Sequence, residues 1–97
     1  MTPEGRVKAK VKKLLDKEQD IYYFMPVQTG YGARTLDYLG SLAGRAFAIE
    51  TKAPGKEPTA MQEATIRRME ASGMRVFVID GDTGELEVWL AKLWLIK

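Results

Sequence analysis

The sequence predicts an α/β fold, a small mixed sheet of about four strands flanked by two helices. Apolar residues recur at helical spacing near the start, at Val7, Val11, Leu14 and Leu15, and again after Thr59, at Ile66 and Met69, whose stripe also takes in Gln62. Between and beyond those segments stand β-favouring runs at residues 21–25, 45–52 and 76–79. With 97 residues there is space for one core and none for a second, so residues 1–97 are expected to form a single domain.

Taken in order, Thr2 reads as the N-cap of the first helix and Pro3 as its first helical position. Glu4 precedes Val7 by three and so shares the stripe of Val7, Val11 and Leu14; the lysines at 8, 10, 12 and 13 fill the other positions as a solvated face. The run Ile21-Tyr22-Tyr23-Phe24-Met25 is a strand that Pro26 ends or confines to an edge. Residues 28–35, with two glycines around Tyr31, form a loop. Residues 36–39 are a short strand, and residues 40–44 a turn into the strand 45–52. That strand is apolar on both faces at first, which suits a central position.

After a proline- and glycine-bounded loop at residues 53–58, Thr59 caps a second helix, with Gln62 completing a capping box. Gly73 stops it. Val76-Phe77-Val78-Ile79 is an unbroken apolar run, the pattern of a buried strand. Residues 80–84 make a turn, and residues 86–90 a last strand or helix. The apolar end, with Trp89, Leu90, Leu93, Trp94, Leu95 and Ile96, suits a cover for the core or for a neighbouring subunit.

Cysteine and histidine are both absent. Their absence excludes disulfides, thiolate zinc sites, cysteine nucleophiles and histidine-dependent triads. A metal would have to bind through oxygen, which selects magnesium, manganese or calcium. A net charge of +2 is compatible with a nucleic-acid partner without demanding one. The N-terminal residues carry no apolar signal core and no segment is long and apolar enough to span a bilayer, so a cytoplasmic protein is expected. Two motif fragments fail. The G-K at Gly55-Lys56 lacks the rest of a phosphate loop, and the run from Asp80 to Glu85 lacks the glycine and ligand positions of a calcium loop.

Chemistry gathers on the strand 45–52. Alternation sets Ala46, Ala48, Glu50 and Lys52 on one face, with Phe47, Ile49 and Thr51 packing on the other. A hairpin through residues 40–44 would bring Asp37 beside Glu50. Two adjacent carboxylates repel unless a cation lies between them, and a divalent metal is such a cation.

Asp37 followed by Glu50-x-Lys52 resembles the D…E-x-K signature of the PD-(D/E)xK nucleases. The wider run from Gly44 to Glu63, G-R-A-F-A-I-E-T-K-A-P-G-K-E-P-T-A-M-Q-E, is similar to the virus-type replication–repair branch, the VRR-NUC domain. The likeness extends over nearly the whole chain, with one departure: Leu36 stands where the family commonly has proline. It implies a restriction-endonuclease-like core and a metal-dependent DNA endonuclease using Mg2+ or Mn2+. It further implies Asp37 and Glu50 as metal ligands, Lys52 as the catalytic lysine, and Gln62 as a supporting residue. Glu4 would be the first-helix glutamate of the metal site. Minimal members of this kind are viral or bacterial, resemble homodimers and act on branched DNA such as Holliday junctions, in the cytoplasm of a bacterial or phage-infected cell.

Plainer readings accompany each residue. Glu50 and Lys52 would make an ordinary ion pair, Asp37 a turn residue, Glu4 a helix-dipole partner and Gln62 a cap. Arg34 and Lys56 are candidate phosphate contacts, and Tyr31 a candidate stacking residue, though a surface aromatic closing a loop is the simpler account of it. No base-reading motif is present, so recognition by DNA shape and backbone is expected. The alternative function is a non-catalytic DNA-binding or assembly module that retains the nuclease fold.

Overall fold

The structure is a computed structural model and describes residues 1–27 and 34–95. Tyr31 and Ile96 lie outside the described residues, as does most of the loop expected at 28–35. Helix α1 (Pro3–Asp16) leads into β1 (Ile21–Phe24), β2 (Tyr38–Leu42) and β3 (Arg45–Thr51). Helix α2 (Ala60–Ala71), strand β4 (Arg75–Ile79) and helix α3 (Gly84–Leu95) follow. The sheet order is β1-β2-β3-β4, antiparallel up to β3 and parallel between β3 and β4, with α2 in the crossover. Three helices flank the sheet rather than the two expected. The last segment resolves as a helix because Leu86, Leu90 and Leu93 recur at helical spacing and all bury against the sheet.

Both internal helices start as their sequences dictate. Thr2 accepts from the Gly5 amide at 3.0 Å with Pro3 next to it, and Thr59 forms a complete capping box with Gln62. Helix α2 ends at Gly73, whose φ of 98° only glycine adopts without strain; the Met74 amide closes the end by bonding the Met69 carbonyl at 3.1 Å.

One side of the sheet carries the core. Val7, Val11 and Leu15 of α1 and Leu86, Leu90 and Leu93 of α3 pack against Tyr38, Leu42, Phe47, Ile49, Phe77 and Ile79. Trp89 meets Phe47 and Phe77 edge-on, so the apolar C-terminal helix covers this protein's own core. The other side carries α2, and it is the thinner layer: Thr65 is the one buried residue described on α2.

Two strand expectations change. The β2–β3 turn is only Ala43 and Gly44, both with positive φ, the geometry of a two-residue hairpin. Gly40, Ser41 and Leu42 therefore belong to β2, and Asp37 lies one residue before it. Gly40 stays in the strand because a side chain there would meet the Tyr22 carbonyl, Tyr23 Cβ and the Phe47 ring at 2.5–2.8 Å. Strand β4 is an edge strand with alternating burial rather than a fully buried one. Val78 is 43% exposed because β4 has a neighbour on one side only and α2 leaves its outer face open. Among the described residues no helix is long and apolar enough to cross a membrane.

Candidate active site

Four of the expected residues converge at the C-terminal end of β3. The β2–β3 register pairs Tyr38 with Ile49, so one further step sets Asp37 opposite Glu50. Asp37 stands outside the ladder, which frees its carboxylate to reach around the strand end. Its Oδ2 accepts from the Thr51 amide at 2.9 Å and from the Thr51 hydroxyl at 2.6 Å. Thr51 does face the core and is fully buried, but its hydroxyl also anchors Asp37, a role that its packing position alone did not suggest.

Glu50 is 4% exposed. Its Oε2 accepts from Gln62 Nε2 at 2.8 Å and lies 3.6 Å from Lys52 Nζ. Burial pushes the Glu50 carboxyl above its ordinary range, and the neighbouring charge of Asp37 adds to the push. The Lys52 ammonium and a hydrogen bond from the Asp37 backbone act the other way without cancelling it. Glu50 is thus a buried carboxyl whose charged form its surroundings do not fully stabilise.

Gln62 is both a cap and a hydrogen-bond partner of Glu50. Its Oε1 accepts from the Thr59 amide at 3.0 Å while its Nε2 donates to Glu50. Since an amide N–H needs an acceptor and a carboxylate needs a donor, those two partners settle which end of the side chain points where. The helix cap and the orientation of Glu50 are one arrangement.

Helix α1 supplies the opposite wall. Tyr38, the first residue of β2, donates its hydroxyl to the Lys8 carbonyl at 2.9 Å and pins that turn of the helix beside Asp37. Burial, with the charges of Tyr23 and Asp37 behind it, pushes the Tyr38 hydroxyl up to about 12. Lys8 Nζ lies 3.8 Å from Asp37 Oδ1 and 4.0 Å from Glu4 Oε2, which are ion-pair distances and too long for hydrogen bonds. Glu4 is therefore joined to the site through Lys8. Its side chain is 44% exposed, so the inward stripe of α1 turns polar at its first turn. Lys8 was hidden within a face read as solvated; its spacing of four from Glu4 was the available signal.

Among the described residues no three acidic side chains converge into a metal cluster. The donor set fits a divalent cation nonetheless. Two neighbouring carboxylates offer oxygen, one of them buried with its charged form incompletely stabilised, and magnesium is commonly held by one or two carboxylates with the remaining positions taken by water and phosphate.

Lys56 is exposed at the end of a turn in which its amide bonds the Ala53 carbonyl at 3.0 Å and Gly55 takes φ 80°. Arg34 is exposed and lines a groove of about 620 Å³ on the flank of α2, with Met61, Thr65, Arg68 and Met69.

A sheet of this order, with three helices and paired acids at the end of its central E-x-K strand, is a nuclease-type α/β fold. The chain is similar to a solved VRR_NUC domain, with a TM-score of 0.68 and 25% sequence identity over 81% of this chain and 85% of that one. No family model and no curated protein matches it.

Proposed function

We propose that the chain is a metal-dependent deoxyribonuclease, an endonuclease that hydrolyses DNA phosphodiester bonds with branched DNA such as Holliday junctions as substrate. The observation that carries this reading is the Asp37–Glu50 carboxylate pair with Lys52 at 3.6 Å from Glu50. The similarity to a VRR_NUC domain supports it. Asp37 and Glu50 would hold Mg2+ or Mn2+, with Glu4 at the edge of the metal site beside Lys8. When bound, the cation supplies the charge that polarises the phosphate and acidifies the attacking water.

The chain's own residues do the rest. Lys52, 13% exposed beside Glu50, orients the water or offsets the negative charge that grows on the phosphate. Gln62 holds Glu50 in one orientation, and Thr51 holds Asp37. Arg34, Lys56 and Tyr31 are the proposed contacts to DNA, through its backbone and shape. A homodimer would present two sites to a symmetric junction. Supporting a second copy are the exposed apolar residues Tyr22 and Phe24 on edge strand β1 and Met25 and Val27 just after it. The setting that suits this substrate is the cytoplasm of a bacterial or phage-infected cell.

The second reading, a DNA-binding or assembly module without catalysis, draws on the lack of a three-acid cluster among the described residues. Incubating a four-way junction and a linear duplex with Mg2+ or Mn2+ separates the two. Wild type is expected to cut the junction, and Glu50→Ala to lower the rate by roughly a hundredfold or more. Equal cutting by both proteins rejects the site. Junction binding without any cutting by wild type favours the module.

A further inference from the structure

We infer that Lys8 is a built-in cation competing with the divalent metal for Asp37, and that its ammonium moves toward Glu4 when metal binds. The inference rests on the proposed metal site and goes beyond it, because it concerns a residue outside the expected ligand set.

The geometry starts with Asp37. Two hydrogen bonds from Thr51 occupy Oδ2, so Oδ1 is the oxygen left to face a metal. It is also the oxygen that Lys8 faces at 3.8 Å. A metal on Oδ1 would sit at about 2 Å from it, which places the dication within about 6 Å of the ammonium. At that separation, at a partly enclosed position, the repulsion between them is substantial. The lysine is also not free to swing away as a whole, since the Tyr38 hydroxyl pins its backbone to the start of β2.

Glu4 gives the displaced charge a place to go. It stands four residues before Lys8 on the same helical face, and its Oε2 is already 4.0 Å from Nζ. One ammonium thus lies between two carboxylates: Asp37, 19% exposed, and Glu4, 44% exposed. In the metal-free protein it offsets the charge of Asp37 beside a second, buried acid. With metal present, that service is redundant and the pair with Glu4 remains. The arrangement offsets part of the charge on Asp37 before metal arrives, and it makes metal binding weaker than two bare carboxylates would allow.

Calorimetric titration of Mn2+ into the metal-free protein tests this without reference to cleavage. Lys8→Met is expected to bind Mn2+ roughly three- to tenfold more tightly than wild type, with Lys8→Gln behaving the same way. Lys8→Arg, which keeps the charge, should restore the wild-type affinity. Lys8 lies on the helix surface at 36% exposure, so circular dichroism should show all three variants folded; the Gln variant carries the comparison if the Met variant is not. Equal or weaker binding by the neutral variants, or an Arg variant that behaves like them, overturns the role of Lys8 while leaving the metal site standing. Saturable binding by none of the proteins overturns the metal site and this inference together.

Discussion

Glu50 is where the site's electrostatics can be read from stability. The folded protein raises its carboxyl above the ordinary 4.5, chiefly through burial and then through the charge of Asp37. The folded state therefore holds that proton more tightly than the unfolded chain does. Its contribution is favourable below about pH 4.5 and is lost as pH rises through the raised value. Without metal, Glu50→Gln should unfold at a higher temperature than wild type at neutral pH, and the two should draw together as pH falls toward the ordinary carboxylate range. Thermal melts across that range check it, and a variant less stable at neutral pH would mean that the Lys52 pairing outweighs the burial. Sequence reasoning reached Glu50, Lys52 and Gln62 because alternation along one strand and spacing along one helix are local rules. It passed over Thr51 and Lys8, whose importance depends on where Asp37 comes to rest.

At the level of elements, the β2–β3 hairpin sets the distance between the acids. Ala43 and Gly44 close it in two residues, and the resulting register carries Asp37 to the level of Glu50. Gly40 keeps β2 flush between β1 and the Phe47 ring, where an added methyl group would meet the Tyr22 backbone carbonyl at 2.5 Å. Because a backbone atom cannot rotate away as a side chain can, Gly40→Ala should destabilise the protein by about 1–3 kcal/mol, measurable by urea unfolding. A wild-type midpoint would show that β1 can shift at no cost. The sequence led to a longer turn here because glycines at 40 and 44 both read as breakers; only the crowding around residue 40 distinguishes a strand glycine from a turn glycine. The edge position of β4 was hidden for a similar reason, since an apolar run looks the same beside one neighbour or two.

For the whole molecule, the proposed cation would join two separate segments of the chain, the residue preceding β2 and the end of β3. A ligand that binds only the folded state stabilises it by mass action, by about 2.7 kcal/mol at a hundred times its dissociation constant. Mg2+ or Mn2+ at that level should therefore raise the wild-type melting temperature by roughly 10–20 °C, at roughly 4–8 °C per kcal/mol for a domain of this size. Glu50→Gln should show little or no rise. A matching rise in both proteins would place metal binding away from this site.

The sequence by itself determined what local rules govern. Helix α1 begins at Thr2-Pro3, the capping box ties Thr59 to Gln62, and a period of two puts Glu50 and Lys52 on one face of β3. The absence of cysteine and histidine limited any metal site to oxygen ligands. Only the tertiary structure decided that Thr51 holds Asp37, that Gln62 caps α2 and grips Glu50 at once, and that Lys8 stands between Glu4 and Asp37. Those contacts depend on hairpin register and on α1 docking through Tyr38, and an ion pair between distant segments leaves no periodic trace in the chain. The E-x-K strand could be found by its pattern, but the charges that balance it had to be found by their distances.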